Sequence, residues 1–257
     1  MDYWMGRDGM LRPIFFCLRI SGLSCIFVQT IERYSMTSEQ LATYIDHTIL
    51  KPDATLEQVE KLCAEAREYK FKTVCVNPRF VARCAELLDG SGVLVCTVVG
   101  FPLGATSTES KVAECLQAVS DGATEIDMVL WIGGLISGKY AEVEFDIHAV
   151  ADACRRSGAS LKVIFETAML NEEQIAAGCK LCVQADVKWV KTSTGFGPGG
   201  ATVEAVKIMH REVSAHGLKV KASGGIRTLA DFNIMIEAGA ERIGTSSGVG
   251  IVKELVG

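Results

Sequence analysis

Leu218-Lys219-Val220-Lys221-Ala222-Ser223-Gly224-Gly225-Ile226-Arg227 is the stretch on which the fold turns. Successive side chains of an extended strand point to opposite faces, so Leu218, Val220 and Ala222 share one face, and Lys219, Lys221 and Ser223 share the other. If the apolar face packs on helices, the lysines point into an interior lined by other strands. A glycine pair then turns the chain. Thr228 and Asp231 stand at capping-box spacing, where a helix starts. Strand, glycine turn and capped helix make one β/α unit.

Outward from this unit the same pattern recurs. Strand-like runs lie near Tyr44–Thr48, Lys72–Val76, Val93–Val99, Glu125–Leu130, Leu161–Glu166, Trp189–Thr192, Leu218–Ser223 and Arg242–Thr245. Helical patterns lie near Leu56–Arg67, Pro78–Leu88, Glu109–Ser120, Ala141–Arg156, Glu172–Gln184, Val203–Val213, Leu229–Ala238 and Val249–Leu255. Thr55 with Gln58 has capping-box spacing, and Asn171 with Gln174 is a weaker version. Val203, Val206, Met209 and Val213 form a stripe suited to packing on a sheet. Glycines at 90, 92, 122, 217 and 239 end helices before the next strand. Eight such units without a composition break predict an α/β fold of the (β/α)8 TIM-barrel type over residues 36–257, with an open doubly wound sheet as the competitor. Residues 1–35 read as an N-terminal extension that is disordered, or plugs one face as a helix, or reflects a start upstream of Met36. A secretory leader is disfavoured by Arg12, Pro13 and Arg19 within its apolar run.

Composition narrows the function. The chain has 257 residues with 26 basic and 31 acidic side chains, a net charge of −5, which speaks against a nonspecific polyanion partner. No run of 18 apolar residues suggests a membrane span. Ten cysteines sit scattered in valine-rich and helical segments and read as packing thiols of a reducing, cytoplasmic setting. The Cys179-Lys180-Leu181-Cys182 spacing lies within a helical pattern and reads as packing in preference to a redox pair. Four scattered histidines give no metal-site pattern.

Charge in the strands carries the chemistry. In Trp189-Val190-Lys191-Thr192, alternation turns Trp189 and Lys191 inward, and neighbouring strands about 5 Å apart bring Lys191 beside Lys221. In Glu125-Ile126-Asp127-Met128 the same parity sends Asp127 inward, and Asp46 enters likewise from the first strand. Two ammonium groups in a partly dry cavity oppose each other's protonation, which frees a lysine amine to attack a carbonyl. A nearby carboxylate supplies a proton-transfer group. The competing reading is a buried ion pair that only fixes the core. Ser223-Gly224-Gly225-Ile226-Arg227 and Gly244-Thr245-Ser246-Ser247-Gly248 follow the last two strands, where barrels commonly seat phosphate. Gly224, Gly225 and Gly244 free backbone N–H groups, Ser246 and Ser247 add donors, and Arg227 adds charge. Gly195-Phe196-Gly197-Pro198-Gly199-Gly200 reads as a mobile or anion-facing loop.

Val190-Lys191-Thr192-Ser193-Thr194-Gly195-Phe196 and Val220-Lys221-Ala222-Ser223-Gly224-Gly225-Ile226-Arg227 together resemble the deoxyribose-phosphate aldolase family. The likeness extends to Ile45-Asp46-His47-Thr48-Ile49-Leu50-Lys51-Pro52, Val74-Cys75-Val76-Asn77-Pro78-Arg79, Gly100-Phe101-Pro102-Leu103-Gly104, Glu125-Ile126-Asp127-Met128-Val129 and Arg242-Ile243-Gly244-Thr245-Ser246-Ser247-Gly248. It covers about residues 37 to 250. The resemblance implies a class I aldolase, without cofactor or metal, that reversibly splits 2-deoxy-D-ribose 5-phosphate into D-glyceraldehyde 3-phosphate and acetaldehyde. It implies that Lys191 is the Schiff-base lysine, Lys221 the neighbour that perturbs it, Asp127 the proton-relay acid and Asp46 a supporting carboxylate. Cys75 matches a strand cysteine near the cavity and is assigned no catalytic role. The implied partners are small sugar phosphates and aldehydes, with no nucleic acid or membrane, and a homodimer is compatible.

Four features depart from the family pattern: residues 1–35 fall outside the likeness, the sequence stops at Gly257 without the carboxyl-terminal tyrosine of some members, and Trp131 and Met169 stand where smaller or polar residues are more usual. The alternatives are another imine-forming aldolase of a phosphorylated sugar and a noncatalytic sugar-phosphate-binding barrel.

Overall fold

Eight parallel strands close on themselves in sequence order: β1 (Ile45–Ile49), β2 (Thr73–Val76), β3 (Leu94–Val99), β4 (Glu125–Val129), β5 (Ser160–Ile164), β6 (Trp189–Lys191), β7 (Lys219–Ser223) and β8 (Arg242–Thr245), with β8 paired to β1. The computed structural model describes residues 36–257 and two two-residue strands, Phe15–Phe16 and Val28–Gln29, that pair antiparallel. The chain divides into two compact units, Met1–Met36 and Thr37–Gly257. The expectations of disorder, a plugging helix or an upstream start for residues 1–35 lie outside the described residues.

The described helices are α1 (Ser38–Ala42), α2 (Leu56–Tyr69), α3 (Val81–Leu88), α4 (Thr108–Ser120), α5 (Ile132–Ile136), α6 (Tyr140–Ser157), α7 (Glu172–Gln184), α8 (Val203–Val213), α9 (Leu229–Glu237) and α10 (Gly248–Val256). This is the (β/α)8 barrel that the alternation of patterns predicts. Capping boxes form at Thr55, Asn171 and Thr228, each with the backbone N–H three residues on donating to the cap side chain. In α8, Val206, Met209 and Val213 are fully buried against the sheet. None of the described helices is long and apolar enough to cross a membrane.

Register places the charged residues side by side. Lys191 pairs with Lys221 across β6 and β7, Asp127 with Lys162 across β4 and β5, and Arg242 with Lys221 across β8 and β7. Lys219 departs from the inward expectation. It has the parity of Lys221 but sits at the amino-terminal rim, where its half-exposed side chain reaches Glu241 at 3.2 Å. Its ammonium pairs with Glu241 at that rim instead of entering the interior.

Candidate active site

A cleft of about 730 Å³ opens at the carboxyl ends of the strands. Its lining includes Lys191 at the end of β6, the Thr194-Gly195-Phe196 loop beyond it, Ser223 to Arg227 after β7, and Gly244 to Ser246 after β8. Phe196 meets Phe101 edge-on, with ring centroids 5.4 Å apart. The expected glycine loop thus forms part of the wall, fastened by aromatic packing.

Below the cleft the barrel interior is ionic. Asp127, fully buried, accepts from Lys191 Nζ and Lys221 Nζ through Oδ2, each at 2.8 Å. Its Oδ1 accepts from Lys162 Nζ at 2.8 Å and from Cys96 Sγ at 3.2 Å. Lys221 Nζ also lies 2.5 Å from Asp46 Oδ2, an ionic contact without hydrogen-bond alignment. Arg242 Nη1 donates to Asp46 Oδ1 at 2.7 Å and to Glu125 Oε2 at 3.2 Å, while its guanidinium carbon lies 4.8 Å from the Trp189 ring centroid. Lys162 Nζ is 2.5 Å from Glu125 Oε2.

Burial alone would raise the Asp127 carboxyl, but the ammonium groups of Lys162, Lys191 and Lys221 outweigh it and hold the group well below the usual carboxylate range. Asp46 is lowered in the same way, burial being outweighed first by Lys221 and then by Arg242. Burial would lower Lys221, yet Asp127 and Asp46 hold its ammonium above the usual lysine range. Lys221 therefore stays charged beside Lys191.

Gly224 and Gly225 both adopt positive φ, 86° and 84°, which glycine alone takes without strain, and both line the cleft. Gly244 leaves room for Lys221, because a Cβ there would stand 3.1 Å from Lys221 Cε. Arg227 and Ser246 line the cleft. Ser247 does not join them; it is the N-cap residue of α10, and its N–H donates to Thr245 Oγ1 at 2.9 Å. Consecutive glycine-freed backbone and a helix N-terminus suit an anion. Cys179 and Cys182 are buried in α7, and burial pushes both thiols up, which fits packing and not redox chemistry.

Sequence reasoning missed Lys162, Glu125, Arg242 and Cys96 inside the barrel and Glu166 beside the cleft. The strand alternation in Leu161-Lys162-Val163 carries the same signal as that around Lys221. Glu166 gives no such signal. It follows β5 with left-handed backbone, φ 57°, and its Oε2 accepts from the Thr194 N–H and Oγ1–H.

Barrel, buried lysines and cleft place the chain in a class, the (β/α)8 barrels with an ionic interior below a cleft at the carboxyl ends of the strands. The family model described as DeoC/LacD family aldolase matches residues 40–254. The chain belongs to that family. A deoxyribose-phosphate aldolase of Brevibacillus brevis is 57% identical over 209 residues, covering 81% of this chain and 93% of the relative. One from Carboxydothermus hydrogenoformans is 53% identical over 223 residues, covering 86% and 97%. The solved deoxyribose phosphate aldolase of Aeropyrum pernix, described as a unique tetramer, superposes with a TM-score of 0.80 at 33% identity, covering 86% of this chain and 92% of that one.

Proposed function

We propose that this chain is a class I aldolase that reversibly cleaves 2-deoxy-D-ribose 5-phosphate into D-glyceraldehyde 3-phosphate and acetaldehyde. The observation that carries the proposal is Lys191 Nζ, nearly enclosed at the cleft floor and 2.8 Å from the Asp127 carboxylate. The relatives from Brevibacillus brevis and Carboxydothermus hydrogenoformans, which bear the aldolase name, support the substrate.

Neutral Lys191 attacks C1 of the open-chain sugar phosphate, and loss of water gives a protonated imine. The iminium withdraws the electron pair of the C2–C3 bond as the C3 hydroxyl gives up its proton to the Asp127 carboxylate through a water that the Lys221 ammonium helps to hold. D-Glyceraldehyde 3-phosphate leaves, and the C2 enamine remains on Lys191. Protonation at C2 and hydrolysis of the imine release acetaldehyde and restore the amine. Lys221 stays an ammonium and disfavours a second positive charge on Lys191. Asp46 supports Lys221 from below. Gly224, Gly225, Arg227, Gly244, Ser246 and Ser247 hold the phosphate, with Ser247 acting through the α10 N-terminus, and binding there orients the distant carbonyl. The proposal needs no cofactor or metal. The catalytic barrel comprises residues 36–257, and the chain works in the cytoplasm, with a homodimer compatible.

Borohydride trapping with acetaldehyde, followed by mass mapping, tests the chemistry. A reduced two-carbon adduct on Lys191 is expected, with turnover abolished in Lys191→Leu. A folded protein that yields no adduct at Lys191 overturns the mechanism.

A further inference from the structure

The ion pairs inside the barrel form a closed ring. Lys221 bridges Asp46 and Asp127, Lys162 bridges Asp127 and Glu125, and Arg242 bridges Glu125 and Asp46. Three cations and three carboxylates therefore alternate, each touching two partners of opposite sign, and counting both neighbouring thiols as neutral the ring carries no net charge. Lys191 is the seventh member. It touches one carboxylate, Asp127, and shares that carboxylate's Oδ2 with Lys221.

We infer that the neutral six-membered ring selects Lys191 as the amine that loses its proton, and that Glu125 and Arg242 are positioning residues that set this selection from the barrel floor. The inference rests on the reading of Lys191 as the imine-forming lysine. Neither Glu125 nor Arg242 lines the cleft, and both are buried, so they act through the ring and not on substrate. A seventh charge would unbalance the ring, and a buried unpaired charge is costly. With Lys191 neutral the interior is balanced; with Lys191 protonated it holds one cation too many.

Other charged groups facing Lys191 do not supply this balance. Cys96 donates to Asp127, and burial keeps its thiol protonated. Cys75 lies beside it, opposite in register. Glu166 turns its carboxyl to Thr194 and makes none of the ring's ion pairs. From the mouth, His47 is engaged with Glu65 at 2.8 Å, and Lys51, Lys61 and Arg227 share the open cleft, where water screens them. At the opposite rim, Lys219 and Glu241 pair with each other.

The pH dependence of reductive trapping of acetaldehyde on Lys191 reads the inference. A unit charge roughly 10 Å away at an effective dielectric of about 20 moves a pKa by about one unit. Glu125→Gln removes an anion, so the midpoint for the neutral amine falls by about one pH unit. Arg242→Gln removes a cation, so the midpoint rises by about as much. The double variant restores the count and returns the midpoint to the parent value, and Arg242→Lys leaves it in place. A loosened core shifts both single variants the same way. Equal direction, or no movement because Lys162 or Lys221 gives up its proton instead, overturns the inference. Carbon-13 NMR of the unmodified protein, labelled at lysine Cε, keeps the test independent of variant folding. Of the interior lysine signals, the one lost on trapping must titrate first, and any other order overturns the inference. Absence of a Lys191 adduct in the parent protein is a different result, which rejects the imine reading itself.

Discussion

Glu166 shows how a single residue can be strained and useful at once. Its backbone sits in the left-handed region, which costs a non-glycine residue about 1–2 kcal/mol, while its carboxyl accepts both donors of Thr194 beside the cleft. Thr194 Oγ1 in turn accepts from the Phe196 N–H at 3.0 Å, so the carboxyl fastens the wall next to Lys191. Glu166→Ala keeps the strain and leaves the Thr194 donors unmet, for a loss of about 1–3 kcal/mol. Glu166→Gly loses the same bonds but relieves the backbone by about 1 kcal/mol. The expected result is therefore a higher unfolding temperature for Glu166→Gly than for Glu166→Ala, with both below the parent. Calorimetry checks the order, and the usual ranking of alanine above glycine contradicts this account. Glu166 was not legible in the sequence because left-handed backbone leaves no periodic trace, whereas Lys191, Lys221 and Asp127 announced themselves as charges at inward positions of apolar strands.

Loop meets loop where Gly200 approaches Gly224. A Cβ on Gly200 would stand 2.2 Å from the Gly224 carbonyl oxygen, and the Ala201 N–H donates to the carbonyls of Ser223 and Gly224 at 3.0 and 3.1 Å. The segment after β6 thus braces the glycine pair after β7, and Gly200→Ala must push them apart. A displacement near 1 Å in a positioning element costs about 100-fold in rate. Turnover of 2-deoxyribose 5-phosphate is expected to fall by about that factor, while acetaldehyde trapping on Lys191, which needs no phosphate, changes little. Gly225→Ala meets no atom within 4 Å and bears only backbone strain, so its effect is smaller. Parallel losses in both assays would remove the bracing role. At this scale the sequence was legible wherever an element was long and capped: the helices opened by Thr55, Asn171 and Thr228 start at the expected residues. The short helices escaped. Ser38–Ala42 spans too few residues to show a period, and Ile132–Ile136 contains two glycines and no capping side-chain bond. The bracing of one loop by another is also invisible to local pattern, since it joins residues brought together only when the barrel closes.

Across the whole molecule, the buried charges tie stability to pH with a definite sign. Asp46 and Asp127 have folded pKa values below their unfolded ones, so their stabilisation is complete above about pH 4 and is lost as pH falls through the folded values. Lys162 and Lys221 are raised, so theirs is complete below about pH 10 and is lost as pH climbs through the folded values above it. His47 adds a separate acid step. Burial lowers it despite the hydrogen bond to Glu65, so folding favours the neutral ring, and stability declines from about pH 6.5 down to the lower folded value. Denaturant midpoints are expected to be level from about pH 7 to pH 9, to dip modestly below about pH 6.5, and to fall steeply only below about pH 4. His47→Asn should remove the first decline and leave the second. A single steep loss near pH 6 that survives in His47→Asn would show that the interior carboxylates are not held down by their lysines, and that the ring of charges does not stabilise the folded barrel.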